Sequence, residues 1–393
     1  MIVLIKIIKN AEIYSPEFLG KKDIVIVGDK IEGIYEYIKV PEDFLSVEVI
    51  DAEGKILVPG FIDAHVHLIG GGGEGGYKTR TPELPLSKIT KAGITTVVGV
   101  LGTDVVCRNM RSLLAKVKAL KEEGITAYCY TGSYDIPVKT MTDSIKGDLL
   151  LVEEVIGVGE LALSDHRSSQ ATVEQFINTV AQTRVGGLLS GKAGIVNVHF
   201  GGGARKLEYL FKMIEQSEIP PTQISPTHMS RTKELLEAGV EWAKVGGFVD
   251  LTTSSDPDHL EEGELLASQG LKYLLNKGVS IDNITFTSDG NGSMPMFDEE
   301  GKLIGLGICS VSTLFDEVRK SVLIEEISLE DALKTITSNP AKVLKLKDKG
   351  RIEVNKDADI VLLDKEDLKI DTVIALGKKM VENKNVLIKG TFE

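Results

Sequence analysis

Histidines and carboxylates that could hold metal ions recur at the ends of short apolar runs in this 393-residue sequence. His65 and His67 close one run as His-x-His, and because side chains alternate along a strand, both imidazoles would lie on one face. Taken alone, this pair is equally compatible with a structural role. His199, His228 and Asp289 end later runs. Imidazoles with a carboxylate form a ligand set that suits zinc or a similar divalent ion, so the sequence predicts a metal site.

A further carboxylate, Glu160, lies within the segment GVGELALSDHR (157–167). Burying an unpaired carboxylate is costly, so this group requires a partner. Four histidines and Asp289 could hold two cations if an anion lay between them, and a carboxylate can bridge metals about 3.5–4 Å apart. We therefore predict that Glu160 bridges two metal ions. The alternative is a buried salt bridge to an arginine such as Arg167, which would leave the histidines unexplained.

Eight short apolar runs place these side chains. The runs alternate with longer amphipathic stretches, the pattern of βα units around a parallel sheet. They cover residues 61–68, 94–102, 126–134, 155–163, 194–200, 223–229, 248–254 and 284–290. Eight such units predict a closed (β/α)8 barrel, in which chemistry occurs at the carboxyl ends of the strands. The predicted ligands lie at those ends.

Both ends of the chain have β-like sequences interrupted by glycine, aspartate and proline. The simplest architecture combines residues 1–58 and 345–393 in one small β-rich domain, with the barrel inserted as residues 59–344. The predicted fold is therefore α/β, a TIM-like barrel with a small β-sandwich domain built from the N- and C-terminal segments.

Composition limits the classes of partner. The net charge of −13 argues against nucleic acid or an anionic membrane surface. No apolar run reaches the roughly 18 residues of a membrane span, and the lysines of the N-terminal MIVLIKIIKN are not followed by a signal-peptide cleavage site. Cys107, Cys129 and Cys309 are scattered and odd in number, which suggests a reducing compartment. We expect a cytoplasmic protein.

The sequence resembles the amidohydrolase superfamily of metal-dependent hydrolases. The resemblance covers essentially the whole chain and rests on PGFIDAHVH, the histidines of the fifth and sixth runs, SDG at 288–290 and SNPAKVLKL with GRIEVNKDADIVLLD. Within the superfamily the chain is most similar to the isoaspartyl dipeptidase (β-aspartyl peptidase) family. The segments that carry this narrower match are HLIGGGGEGG, GTD at 102–104, GSYDIP, SDHRS, THMSR and SDGNGS.

This resemblance implies a dipeptidase that hydrolyses β-aspartyl dipeptides by attack of a hydroxide bridging two divalent ions, most simply Zn²⁺. The implied ligands are His65, His67, Glu160, His199, His228 and Asp289. The family usually has a lysine carboxylated by carbon dioxide where this chain has Glu160. Because glutamate is shorter, either the strand or the metals must shift, or one metal binds weakly. We expect a two-metal site that needs no bicarbonate.

Two residues are expected to act on the reacting atoms. Asp289 would take the proton of the nucleophile and deliver it to the leaving amine. Tyr134 resembles the family tyrosine that donates a hydrogen bond to the oxyanion. The alternative for Tyr134 is a rim tyrosine without a partner.

The predicted substrate residues would recognise a free amino group and two carboxylates. Glu74 matches the family residue that binds the α-amino group, and glycines beside it such as Gly72 let the backbone approach the ligand. Arg167 and Arg231 could pair with carboxylates, and Thr103 and Ser293 could add hydroxyl donors. Either arginine alone could be a solvated surface charge. His166 is interpreted as a loop or supporting histidine, and His259 as a surface residue.

Two other functions remain open. A cyclic-amide or N-acyl-amino-acid amidohydrolase, similar to dihydroorotase or hydantoinase, could use the same metal site. A non-enzymatic assembly protein of the dihydropyrimidinase-like type would have lost its metal ligands, which are present in this chain. The family resemblance also implies a homo-oligomer, such as an octamer.

Overall fold

The computed structural model describes residues 4–41, 46–258, 260, 263–297 and 303–393. Its strands are β1 (Ile5–Tyr14), β2 (Phe18–Val27), β3 (Lys30–Tyr35), β4 (Val47–Asp51), β5 (Lys55–Pro59), β6 (Phe61–Val66), β7 (Ile94–Gly99), β8 (Thr126–Thr131), β9 (Val155–Leu163), β10 (Ile195–Phe200), β11 (Ile224–Thr227), β12 (Val249–Thr252), β13 (Ile284–Thr287), β14 (Ser293–Phe297), β15 (Leu303–Ile308), β16 (Ile360–Asp364), β17 (Ile370–Ala375), β18 (Lys378–Glu382) and β19 (Asn385–Val386). Its α-helices are α1 (Leu86–Lys91), α2 (Met110–Glu123), α3 (Ile145–Leu151), α4 (Val173–Ser190), α5 (Glu208–Gln216), α6 (Lys233–Lys244), α7 (Ala267–Asn276), α8 (Thr313–Leu323), α9 (Leu329–Lys334) and α10 (Ser338–Val343).

The strands from both ends of the chain form one hydrogen-bonded sheet. Its order is β19-β18-β17-β16-β5-β1-β2-β3, with β4 alongside β1. Antiparallel pairing of β16 with β5, in the register Leu362 opposite Leu57, connects the two ends. Buried isoleucines such as Ile8, Ile24 and Ile360 form its core, as expected of β-branched residues in strands. The predicted association of the two β-rich ends is confirmed, while the domain division at residues 58 and 345 stays a prediction.

Eight parallel strands, β6 to β13, form the barrel. Strands β6 to β11 pair in chain order, and β12 pairs with β13. Contacts of β11 with β12 and of β13 with β6 close the ring. Each of the eight predicted runs contains one of these strands, so the (β/α)8 prediction is confirmed.

Two buried carboxylates connect neighbouring strands where the ladder of backbone hydrogen bonds is interrupted. Asp250 of β12 accepts a hydrogen bond of 2.6 Å from the hydroxyl of Thr227 on β11, and bonds of 2.7 and 2.6 Å from two threonines of β13. Asp63 of β6 accepts bonds from the backbone N–H and the hydroxyl of Ser288, which follows β13. These side chains tie together the strands whose ends carry the predicted ligands.

The helices begin and end at local signals. The side chain of Asn109 accepts hydrogen bonds at the start of α2, and Gly124, at φ 112°, ends that helix. Thr172 and Gln175 form a capping box at the start of α4. None of the helices in the described part of the chain has both the length and the apolar character that a membrane crossing requires.

Candidate metal centre and substrate cavity

The strand ends bring the predicted metal ligands together at one end of the barrel. They are His65 and His67 at the end of β6, Glu160 in β9, His199 in β10, His228 after β11 and Asp289 after β13. The ligand atoms form two sets, and within each set all of the atoms lie within 4.8 Å of one another. The first is His65, His67 and Asp289, and the second is His65, Glu160 and His228.

Glu160 lies among the histidines, with its side chain only 1% exposed. Its Oε1 is 3.4 Å from Nε2 of His67. Its Oε2 is 3.4 Å from Nε2 of His65, 3.2 Å from Nδ1 of His199 and 3.9 Å from Nε2 of His228. The buried charge therefore faces imidazoles from several strands, which is the arrangement that a bridging carboxylate requires.

The predicted alternative, a salt bridge from Glu160 to Arg167, is not the arrangement that the structure has. The guanidinium of Arg167 pairs instead with Asp165, at 2.7 Å between Nη2 and Oδ2. The charged partners of Glu160 are therefore histidines rather than an arginine.

The outer ring nitrogens of two histidines are held by neutral side chains. Nδ1 of His65 lies 3.0 Å from Oδ1 of Asn197, and Nδ1 of His228 lies 2.7 Å from the hydroxyl of Thr252. Such bonds fix the ring orientation and leave Nε2 facing the other ligands.

The donor set fits divalent cations. Among the residues that the structure describes, buried Nε2 of His65, Nε2 of His228 and Oδ1 of Asp289 have no hydrogen-bond partner. Unsatisfied buried polar atoms are costly, and three of them in one cluster of imidazoles and carboxylates match a metal-binding site. His65, His67, Glu160, His199, His228 and Asp289 would hold the ions.

The pKa values follow from the mutual attraction of these groups. Burial would raise the pKa of Glu160, but the imidazoles of His65 and His199 hold it well below its usual value. Burial would lower the pKa of His65, but the Glu160 and Asp289 carboxylates raise it well above its usual value. Burial and the neighbouring His199 lower the pKa of His228 to about 3. The carboxylates of the cluster therefore stay charged. A metal ion that binds there replaces the protons that the imidazoles carry.

Two of the predicted ligands have an unusual backbone. His228 has φ 64° and Asp289 has φ 51°, in the left-handed region that non-glycine residues seldom adopt. Each such residue costs of order 1–3 kcal/mol and persists only where its surroundings impose it. At both positions the chain turns sharply from a strand end into a loop.

A cavity of about 510 Å³ opens beside the ligands. Its wall includes Glu160, His199 and Asp289 together with every residue predicted to act on the substrate: Gly72, Glu74, Thr103, Tyr134, Arg167, Arg231 and Ser293. Residues from seven different strand ends or the loops that follow them thus meet at one opening, as expected for a barrel enzyme.

The glycine-rich loop after β6 brings Glu74 to the cavity. Gly72 has φ 71°, and a Cβ there would lie 2.6 Å from the carbonyl oxygen of Thr79 and 3.0 Å from Cβ of Ser293. Only glycine fits this position without displacing its neighbours. Glu74 accepts a hydrogen bond of 2.9 Å from the hydroxyl of Thr103, and its Oε1 lies 3.6 Å from Nη1 of Arg167.

Tyr134 is buried and has partners, unlike an isolated rim tyrosine. Its hydroxyl lies 3.0 Å from Nδ1 of His199, and the guanidinium of Arg167 lies 5.4 Å from the centre of its ring. Burial and the charge of Glu160 raise the pKa of Tyr134 well above its usual value. The phenol therefore keeps its proton and can donate a hydrogen bond.

Sequence reasoning missed Asp165, Asn197 and Thr252, which contact His199, His65 and His228 respectively. Asp165 lies within the quoted segment SDHRS, so the signal was present without a partner to interpret it. His166 lies on the cavity wall with its side chain 91% exposed, and Nδ1 is 3.7 Å from Oδ1 of Asp165. His259 lies outside the described residues.

Comparisons with known proteins identify the family of the chain. The amidohydrolase family profile matches residues 56–392. The structure of a beta-aspartyl dipeptidase from Fervidobacterium islandicum AW-1, in complex with beta-Asp-Leu dipeptide, is 46% identical, with a TM-score of 0.92 and coverage of 98% of both chains. The dihydroorotase of Aquifex aeolicus is 26% identical over 91% of this chain and 89% of its own. A D-hydantoinase structure, at 20% identity and a TM-score of 0.69, shares the fold. The chain, with its barrel and its group of histidines and carboxylates, belongs to the amidohydrolase family.

Proposed function

We propose that this chain is a metal-dependent dipeptidase that hydrolyses β-aspartyl (isoaspartyl) dipeptides. The observation that carries the proposal is the pair formed by Glu74 and Arg167, which face each other 3.6 Å apart in the cavity that also contains the metal ligands. A carboxylate beside a guanidinium offers one partner for an ammonium group and one for a carboxylate. The free α-amino and α-carboxylate groups of a β-linked aspartyl residue form such a pair on one carbon.

The remaining polar groups suit the second half of the dipeptide. Arg231 and Ser293 line the same cavity. Nη1 of Arg231 lies 3.2 Å from the carbonyl oxygen of Phe200, which orients the guanidinium. A second guanidinium can pair with the C-terminal carboxylate of the dipeptide. Two arginines and one glutamate thus match a substrate with two carboxylates and one ammonium group.

Divalent cations in this site would activate the attacking water and polarise the scissile carbonyl, and zinc suits the histidine-rich ligand set. The chain itself supplies the other steps. Asp289 accepts the proton of the water and delivers it to the nitrogen of the leaving amine. The hydroxyl of Tyr134 donates a hydrogen bond to the oxygen that gains charge as the carbonyl is attacked.

The similarity to the beta-aspartyl dipeptidase of F. islandicum, solved with beta-Asp-Leu, supports this proposal. The chain is also similar to dihydroorotases, which favours a cyclic-amide hydrolase as the second candidate. Dihydroorotate has no ammonium group, so it would offer Glu74 no cationic partner from the substrate. The charges of the cavity therefore favour the dipeptide.

The two candidates are separated by assaying purified, zinc-loaded protein with β-Asp-Leu, α-Asp-Leu, N-acetyl-β-Asp-Leu, dihydroorotate and hydantoin. We expect turnover of β-Asp-Leu, with α-Asp-Leu and the N-acetylated dipeptide much poorer substrates. Turnover of dihydroorotate or hydantoin, with no hydrolysis of β-Asp-Leu, would establish the cyclic-amide hydrolase instead. We also propose that the protein acts in the cytoplasm and that it forms a homo-oligomer such as an octamer. Light scattering on the purified protein would test the oligomeric state.

A further inference from the structure

Asp165 lies two residues after the end of β9 and contacts both Arg167 and His199. Its side chain is 4% exposed. Oδ1 accepts hydrogen bonds from the backbone N–H (2.7 Å) and Nε (3.0 Å) of Arg167, and Oδ2 accepts one from Nη2 of Arg167 (2.7 Å). Oδ2 also lies 3.0 Å from Nε2 of His199. One carboxylate thus holds a predicted substrate arginine and a predicted metal ligand.

The surrounding backbone leaves room for this carboxylate. A Cβ on Gly201 would lie 2.7 Å from Oδ2 of Asp165, so the glycine after β10 permits the close approach. The backbone N–H of Ser168 and the amide of Gln170 both donate to the carbonyl oxygen of Asp165. Hydrogen bonds to Asp165 therefore stabilise the loop that follows β9.

We propose that Asp165 is a positioning residue that fixes the ring of His199 for metal binding and fixes the guanidinium of Arg167 for substrate binding. The Arg167 half of this inference rests on the function proposed above. The His199 half rests only on the metal centre.

The argument for His199 concerns which ring nitrogen carries the proton. Nδ1 faces Oε2 of Glu160 at 3.2 Å, so it is the nitrogen available to a metal ion and must be free of its proton. The carboxylate of Asp165 favours the proton on Nε2, where it can accept a hydrogen bond. Two guanidinium groups, of Arg167 at 3.2 Å and of Arg231 at 3.3 Å, also approach Nε2. Without Asp165 these donors would favour a bare Nε2 and place the proton on Nδ1.

The argument for Arg167 concerns its free donor. Nε and Nη2 are occupied by Asp165, which leaves Nη1 directed toward Glu74 in the cavity. A guanidinium held at two nitrogens has little rotational freedom left to lose when a substrate carboxylate binds. Asp165 therefore pre-orders the anion-binding group of the cavity.

The test compares D165N with the matched control D148N. Asp148 is also fully buried and accepts several hydrogen bonds, but its donors, from Thr131, Met141 and Thr142, lie outside the site. Metal-free protein is titrated with Zn²⁺ in competition with a chromogenic chelator, and kcat and KM are measured with β-Asp-Leu. We expect D165N to weaken zinc binding by about 10- to 100-fold, as loss of a partner of a ligand histidine does, while D148N leaves it unchanged.

A double-variant cycle separates positioning from general damage to the fold. If Asp165 acts through His199, H199Q and the D165N/H199Q double variant will bind zinc with the same affinity. R167A should raise KM for β-Asp-Leu and leave zinc affinity unchanged. Zinc affinity of D165N within twofold of the parent, or losses that add in the double variant, would overturn the His199 half.

The two proposals fail in different ways. The zinc titration needs no substrate, so it tests the role of Asp165 even if the parent protein does not hydrolyse β-Asp-Leu. An unchanged KM in both D165N and R167A would overturn the Arg167 half. Thermal unfolding is recorded for each variant. If D165N does not fold, D165E, which keeps the charge but moves both oxygens, is the second variant, with the same direction expected.

Discussion

Glu160 and His199 approach to 3.2 Å, from carboxylate Oε2 to imidazole Nδ1, although they belong to different strands. The other oxygen, Oε1, lies 3.4 Å from Nε2 of His67. The two oxygens of one buried carboxylate thus face histidines at the ends of β6 and β10. This relationship explains why a charged residue is tolerated in β9, where every residue is buried.

Replacing Glu160 by glutamine should disrupt the metal centre. The amide keeps the size of the side chain but loses the negative charge that separates two cations, so E160Q should bind fewer than two zinc ions. We expect kcat/KM for β-Asp-Leu to fall by at least about 100-fold, because metal activation contributes several kcal/mol. Zinc is counted by elemental analysis. Glu154, which is also buried but pairs with Lys121 at 3.0 Å, provides the control E154Q. Two bound zinc ions and full activity in E160Q would refute the bridging role.

Assembly of the centre should not depend on bicarbonate. Glu160 carries its own carboxylate, whereas a lysine must first react with carbon dioxide to provide one. Metal-free protein reconstituted with Zn²⁺ in carbon dioxide-depleted buffer should therefore regain the same activity as protein reconstituted with added bicarbonate. E160K is the comparison, because binding of two metal ions by that variant should require bicarbonate. A bicarbonate requirement in the parent protein would contradict the prediction.

Removing the hydroxyl of Tyr134 should lower the rate of the chemical step more than substrate binding. The phenol keeps its proton, since burial and Glu160 raise the pKa of Tyr134 well above its usual value. Loss of one donor to an oxyanion typically lowers kcat by about 100- to 1,000-fold, so we expect this for Y134F, with KM nearly unchanged. Tyr128, whose pKa is also raised by burial, provides the control Y128F. A rise in KM with kcat unchanged would show that Tyr134 only binds the substrate.

Much of this arrangement could be predicted from the sequence because the geometry of a barrel determines where the ends of its strands lie. Strand ends of a closed barrel converge, so His65, His199, His228 and Asp289 could be grouped once each was assigned to a strand end. Glu160 could be added because a charge in an apolar strand requires a partner. The proximity of these ligands, which are distant in sequence, then follows from the topology of the barrel.

The supporting groups could not be predicted in this way. Asp165 follows its strand as one of several polar loop residues, and its partner His199 is 34 residues away. Arg167 was expected to serve the substrate or to pair with Glu160, yet two of its nitrogens are occupied by Asp165. Asn197 has no distinguishing context in a strand. Loop conformation decides the contacts of Asp165 and Arg167, and it has no sequence period.

Asp250 should make stability depend on pH between about 4 and 6. Burial raises its pKa from the ordinary value of 3.8 to about 6, despite the threonine hydroxyls that favour its charged form. In this range the folded protein holds a proton that the unfolded chain releases, so the free energy of unfolding falls as pH rises, by about 3 kcal/mol at most, and is level above pH 6. D250N has no such group, so the comparison removes the contribution of residues that titrate alike in both proteins. Urea unfolding of metal-free parent and D250N from pH 4 to 8 measures the difference. The stability of the parent relative to D250N should decrease up to pH 6, and parallel profiles would show that Asp250 does not titrate there.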